Sequence, residues 1–169
     1  VGHLRATLIG NSLARVYRYS GQNVITVNHL GDWGTQFGYV WAGCQIYGSP
    51  EHETVDALVE LYRKSTSLKE RQEKATVLPG EESLSSAQDL ARQFFIDLEN
   101  GVDYAVRFWR WCLDISMKYF IDTYSRLGIT FDHYLGESFY SKMLPDVEKK
   151  LRDANGNTLP MRRSCASSG

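Results

Sequence analysis

Gly2-His3-Leu4-Arg5-Ala6-Thr7-Leu8-Ile9-Gly10-Asn11-Ser12-Leu13-Ala14-Arg15-Val16-Tyr17, closed by Gly21 and followed by Asn23-Val24-Ile25-Thr26-Val27-Asn28, is the stretch that decides the fold class. Leu4, Leu8, Ile9, Leu13, Val16 and Tyr17 recur at three-to-four spacing, the pattern of a helix over Gly2 to Ser20 with one buried stripe. Gly10 weakens that helix and reads as a point of close approach to a neighbour, while Gly21 supplies a stop. Asn23 to Asn28 is short and β-branched, which predicts a strand. Helix, tight turn and apolar strand make half of a βαβ unit, so the fold class is α/β with parallel strands. The unit's first strand would lie upstream of Val1; the opening has neither an initiator Met nor the apolar segment of a signal peptide, and reads as a cut.

Downstream, His29-Leu30-Gly31-Asp32-Trp33-Gly34-Thr35-Gln36 forms a two-glycine turn, and Phe37 to Tyr47 resumes a helical pattern that Asp32 could cap. From Ser49 to Ser86 the composition shifts. A helical stripe of Val55, Leu58, Val59 and Tyr62 runs from Thr54 to Arg71, the charged run Lys69 to Lys74 reads as connector, and Pro79-Gly80-Glu81-Glu82-Ser83 is a breaker. Ser86 caps a helix over Ala87 to Glu99. The longest periodic stretch, Val102 to Leu127, carries Val102, Ala105, Val106, Trp109, Cys112, Leu113 and Phe120 on one face and Phe108, Trp111, Ile115 and Tyr119 on a second, so contact on two sides is expected. Gly128 ends it, Ile129 to Leu135 alternates as a half-buried strand, and Pro145 and Asp146 open a charged helix from Leu144 to Ala154. After Asn155 the chain is polar.

Composition narrows the function classes. With 19 Lys plus Arg against 20 Asp plus Glu in 169 residues, the chain lacks the basic footprint of a protein that clings to nucleic acid over its whole surface. No apolar run approaches the roughly 18 residues of a membrane span. Cys44, Cys112 and Cys165 are an odd number without a CxxC pair, which suggests neither a disulfide framework nor a zinc knuckle and makes a reducing, cytoplasmic setting the expectation. His3, His29, His52 and His133 show no metal-ligand spacing, so no protein metal site is predicted.

Two places could carry chemistry. Gly2-His3 stands at the N-terminus of a helix expected to follow a parallel strand, where free N–H groups and the positive dipole end suit phosphate; the bland alternative is an ordinary cap. Asn28-His29-Leu30-Gly31-Asp32-Trp33-Gly34-Thr35-Gln36 sits at the C-terminal end of a predicted strand, the edge where open α/β sheets bind ligands. Its alternative is a turn in which Asp32 caps a helix and Trp33 fills the core.

These blocks, Val1 to Arg15 and Val27 to Gly38, closely resemble arginyl-tRNA synthetase, a class I family in which a His-Val-Gly-His-Leu-Arg-Ser-Thr motif opens the first helix and a Gly-Asp-Trp-Gly-x-Gln-Phe-Gly segment follows the next strand. Tyr119 to Ile129, leading to Phe131-Asp132 and Gly136-Glu137-Ser138, resembles the return from that family's connective insertion, so the resemblance extends over roughly Val1 to Asn155. It implies a partial Rossmann-like (HUP-type) catalytic domain in residues 1–48, a mostly helical connective insertion in 49–127, a return to the catalytic domain in 128–155, and a polar tail in 156–169. It further implies an arginine-tRNA ligase acting on L-arginine, ATP with Mg2+ as its substrate complex, and tRNA(Arg). Gly2 would make room for the adenine and His3 would stabilise the ATP phosphates; Asn28, His29, Asp32 and Gln36 would lie near the rim.

The departures are also informative. The first histidine of the signature, the Ser-Pro-Asn segment, the Lys-Met-Ser-Lys-type loop and an all-helical anticodon-binding domain are not found; Ser141-Lys142-Met143 has some of the loop's letters in the wrong context. The expectation is therefore a catalytic fragment, inactive alone, with exposed sheet edges and apolar faces. Arg107, Arg110 and Lys118 could touch an acceptor stem but read first as a solvated helix face, and Trp109 and Trp111 as core. Two other readings stay open: a non-catalytic RNA- or protein-binding module built on a synthetase fold, and a nucleotidyltransferase of the same superfamily acting on a small metabolite.

Overall fold

The computed structural model describes residues 2–81 and 83–154, and of residues 2, 3 and 142 the backbone alone. Within them the order is α1 (Gly2–Tyr19), β1 (Val27–Leu30), α2 (Gln36–Tyr47), α3 (Val55–Glu73), α4 (Ala87–Glu99), α5 (Asp103–Arg126), β2 (His133–Gly136), α6 (Glu137–Tyr140), a 3₁₀ turn at Ser141–Met143 and α7 (Leu144–Ala154). The polar tail from Asn155 lies outside the described residues, and Cys165 with it.

β1 and β2 pair in parallel, from Val27 opposite His133 to Leu30 opposite Gly136. The strands enter this ladder through a polar lock. Asp132 accepts from the Thr26 N–H and the Thr26 hydroxyl, each at 2.7 Å, and from the Arg18 guanidinium at 3.1 Å. The Thr26 N–H and hydroxyl hold the Asp132 carboxyl below its ordinary range, with the Arg18 charge adding to them. Both strands begin later than the sequence predicts, at Val27 and His133, because pairing starts only past this lock. Ile25, expected within the strand, precedes it and is exposed, whereas Ile129 is buried ahead of β2.

The main core lies between α2, α3, α4 and α5. It joins Phe37, Val40 and Cys44 to Leu58, Leu61, Phe94, Leu98, Ala105 and Cys112, with Trp33, Trp41, Phe108, Trp109 and Trp111 packed around them. Trp41 stacks on Phe94 at 5.6 Å and meets Phe108 edge-on at 4.9 Å, arrangements favourable beyond the area they bury. Two glycines let α2 approach its neighbours at backbone distance. A β-carbon at Gly38 would overlap the Ala91 carbonyl of α4, and one at Gly43 would sit 2.8 Å from the Leu61 carbonyl oxygen of α3.

Several elements match their sequence reading. Ser86 accepts from the Asp89 N–H at 3.2 Å and caps α4, Thr54 accepts from the Ala57 N–H and caps α3, Gly128 adopts a positive φ after α5, and α7 spans Leu144–Ala154. Others differ. The buried face of α3 is Leu58, Leu61, Ser65 and Leu68, while Val59 and Tyr62 are exposed; the Ser65 hydroxyl turns that face inward by donating to the Tyr39 carbonyl at 2.6 Å. The run Lys69–Glu73 is the last turn of α3 and not a connector, because Lys69–Glu73 and Arg71–Glu81 ion pairs neutralise it. α5 is covered on two sides only in its N-terminal half; Tyr119 and Phe120 are exposed.

The largest departure concerns α1. Its expected buried stripe is exposed, with Leu8 at 43% and Val16 at 64%, and among the residues of the helix whose side chains are described only Ala14 is buried. Gly10 meets nothing within 4 Å, so the close approach expected there is not made.

Candidate functional site

At the C-terminal edge of β1 the chain leaves the ladder through Gly31-Asp32-Trp33-Gly34-Thr35 and enters α2. A cavity of about 510 Å³ opens there. One wall is Ala6 and Thr7 of α1; the floor is Asn28, His29, Leu30, Gly31 and Asp32; the far wall is α5 through Leu113, Ser116, Met117, Phe120 and Tyr124. Largely apolar side chains of α5 thus face a more polar strand edge.

Asn28 donates from Nδ2 to the Tyr124 hydroxyl at 3.3 Å, tying the strand edge to α5. The His29 imidazole is exposed and lies 5.7 Å from the Tyr140 ring of α6. Asp32 is buried and both carboxylate oxygens are engaged by one residue: Oδ1 accepts from the Ser138 N–H at 2.8 Å and Oδ2 from the Ser138 hydroxyl at 2.5 Å. Its carbonyl accepts from Trp109 Nε1 at 2.7 Å. Trp33 packs edge-on against Trp109 at 5.6 Å and Phe95 at 6.1 Å.

Asp32 therefore does not cap α2, as the sequence suggested. The residue before α2 is Thr35, which makes no side-chain cap bond, and Asp32 lies four positions ahead of Gln36, where its carboxylate serves the first turn of α6 instead.

Of the predicted rim residues, Asn28, His29 and Asp32 converge on one cavity. Gln36 does not. Its amide folds back toward the Gly31 and Trp33 carbonyls at 3.5 Å, and it lines a separate apolar pocket of about 220 Å³ with Phe37, Val40, Leu58 and Cys112. Gly2 and His3 are the first two residues of α1, at the cavity end of that helix, and their side chains lie outside the described residues. Arg107, Arg110 and Lys118 are exposed along α5, Arg107 paired with Asp103. Among the described residues no group of three or more His, Cys, Asp or Glu is placed to hold a metal ion, and no helix is long and apolar enough to cross a membrane.

Sequence reasoning missed the far wall. Tyr124, Phe120 and Met117 reach the cavity because α5 crosses the strand edge, a tertiary fact that helical periodicity does not contain. Ser138 and its partner Asp32 each stood in a block the sequence singled out, but nothing in the sequence paired them.

A cavity at the C-terminal edge of a parallel strand, beside the N-terminal part of a helix, is the arrangement of an α/β protein, in which that edge is the usual place for ligands. Residues 1–158 match the family model described as tRNA synthetases class I (R), catalytic domain, and the chain belongs to that family. It is 40% identical over 167 residues to an arginine–tRNA ligase of Chloroflexus aggregans, covering 92% of this chain and 27% of the relative. An arginine–tRNA ligase of Lactococcus lactis subsp. cremoris is 38% identical over 158 residues, covering 92% and 26%, and one of Pediococcus pentosaceus 40% over 156 residues, covering 90% and 26%. The chain spans about a quarter of the length of these relatives. Within this family it is mostly helical, with a small parallel two-stranded sheet.

Proposed function

We propose that the protein carrying this chain is an arginine–tRNA ligase, and that residues 2–154 contribute one side of its adenylate-forming site. The observation that carries the reading is the cavity enclosed by α1, the β1 edge and α5, in a chain whose relatives are named for that activity. In the reaction the arginine carboxylate attacks the ATP α-phosphate, pyrophosphate leaves, and the terminal ribose hydroxyl of tRNA(Arg) then takes arginine while AMP departs. Charge builds on phosphate oxygens, so donors fixed at the N-terminus of α1 assist electrostatically, and no enzyme nucleophile is needed.

Gly2 leaves room for the adenine and His3 donates to the phosphates. Asn28, His29 and Asp32 form the rim, with Gln36 holding the turn beneath it. Mg2+ is part of the ATP substrate complex and would supply charge neutralisation to the leaving pyrophosphate. The two parallel strands and α1 belong to a Rossmann-like catalytic domain, residues 1–48 and 128–155; residues 49–127 form the connective insertion, 156–169 a polar tail, and the setting is cytoplasmic. The packing of α3 and α4 on α2 supports an insertion mounted rigidly on the helix that follows the site.

The full-length protein tests this through arginine- and tRNA-dependent ATP–pyrophosphate exchange and charging of tRNA(Arg). Both activities are expected. A protein that binds tRNA and never charges it overturns the reading in favour of a binding module, and exchange driven by another small metabolite favours a nucleotidyltransferase. The 169-residue chain alone is expected to bind ATP weakly or not at all; micromolar affinity would overturn the division of the site between this quarter and the rest.

A further inference from the structure

We propose that Asp32 is a positioning residue, whose carboxylate anchors the turn after β1, part of the cavity floor, to the turn after β2 and so fixes where that floor sits. The inference rests on the adenylate-forming reading of that cavity. The backbone ladder ends at Leu30 and Gly136, and beyond this pair the chains diverge into α2 and α6. Asp32 holds the two turns together past that point, through the Ser138 N–H at 2.8 Å and the Ser138 hydroxyl at 2.5 Å. Through its carbonyl it also takes Trp109 Nε1 at 2.7 Å, which ties both turns to α5, the helix that forms the far wall.

One residue of the cavity floor is thus tied both to α6 and to the helix of the far wall. The seat is closed as well: any β-carbon at Gly136 would overlap the Asp32 carboxylate, so the carboxylate fills the space that this glycine leaves. With both oxygens engaged and the residue buried, Asp32 acts through the groups it holds. Those are the cavity floor bearing Asn28 and His29, and α6, where Tyr140 meets the His29 ring. Charge-assisted bonds of this kind are stronger and shorter than neutral ones, which suits a clamp.

The test uses the full-length protein in arginine-dependent ATP–pyrophosphate exchange with tRNA(Arg) present at 20 °C, with Asp32→Ala, Ser138→Ala, their double variant and Ser138→Thr. The single variants are expected to lose at least tenfold in kcat/KM, mainly through a raised KM for ATP. The double variant should be no worse than the poorer single, because both break one link. Ser138→Thr keeps the N–H and the hydroxyl and should stay within twofold of wild type. Partial unfolding lowers apparent kcat and leaves KM alone, so a loss confined to kcat overturns the proposal. Unchanged kcat/KM in Asp32→Ala, or losses that multiply in the double variant, overturn it too. A wild-type protein without exchange defeats the functional reading instead. The clamp is then judged by amide hydrogen exchange in Asp32→Ala: protection at Ser138 should fall at least tenfold while α4 amides keep theirs, and unchanged protection at Ser138 overturns the clamp.

Discussion

Gly38 marks where the fold is most sensitive to a single methyl group. In Gly38→Ala the new β-carbon points into α4 and overlaps the Ala91 carbonyl, a backbone group that no rotamer change can move aside. Two effects compete. Replacing glycine by alanine inside a helix favours folding by roughly 1 kcal/mol. Overpacking a well-filled contact costs about 1–3 kcal/mol, and here the cost falls at or above the upper end because relief requires α4 to back away from α2. That movement would loosen Phe94 and Leu98, which are fully or almost fully buried, and unstack Trp41 from Phe94. The net expectation is a loss of about 2 kcal/mol or more, which for a chain of this size lowers Tm by several degrees. Urea unfolding followed by tryptophan fluorescence reads it, with Trp41 as a reporter at the interface. Gly10→Ala is the internal control: the site is helical and its surroundings are open, so the same substitution should gain helicity by circular dichroism and cost nothing. Ala91→Gly should not rescue Gly38→Ala, since the obstacle is the carbonyl and not the Ala91 methyl. A neutral or stabilised Gly38→Ala, or rescue by Ala91→Gly, would refute the account of how α2 meets α4.

Ser86→Ala removes the acceptor for the Asp89 N–H and should cost about 1 kcal/mol in the same urea titration, whereas Ser86→Asp should be close to neutral. Burial pushes the Cys44 thiol up to about 11 and the Cys112 thiol up to about 12. In a Cys165→Ser background, disulfide-exchange labelling at pH 8 should therefore be at least a hundredfold slower in the folded protein than in denaturant; comparable rates would refute the burial. Because these folded-state values are raised, the contribution of the neutral thiols to stability is complete below pH 9 and is lost as pH rises through 11 to 12. Melting temperature should accordingly fall across that interval, and less steeply in Cys112→Ala. Asp132 has the opposite sign: its depressed carboxyl contributes above the ordinary carboxylate range and the contribution disappears as pH falls through the lowered value, so Asp132→Asn should flatten the acid limb of a melting-temperature profile.

Local chemistry made α4, α7 and the end of α5 readable. Ser86 ahead of an amphipathic run, Pro145 and Asp146 in a first turn, and Gly128 after the last apolar residue each act within one turn of the backbone they specify. The strands were harder, because four ladder positions are set by where pairing begins, and that is decided by Asp132 reaching across more than a hundred residues to Thr26. On α1 the periodicity correctly identified an apolar face and said nothing of what covers it; the exposed Leu8 and Val16 show that the pattern reports a need for cover and does not name the segment that meets it.

The candidate site divides along the same line. Asn28, His29 and Asp32 could be found because a strand followed by a glycine-flanked turn places its last residues at the ligand-binding edge of a parallel sheet. What Asp32 does there could not be found. A short-range view offers an acidic residue before a helix one employment, as a cap, and the sequence assigns it to α2. In three dimensions the β2 turn lies closer to the carboxylate than the α2 amides do, since parallel pairing in register brings Gly136 beside Leu30. A glycine at the end of β2 and a serine two residues later then complete a pocket shaped for one carboxylate. Gly136 and Ser138 thus have meaning only as a pair with Asp32, and a reading that moves along the chain meets the three residues too far apart to join them.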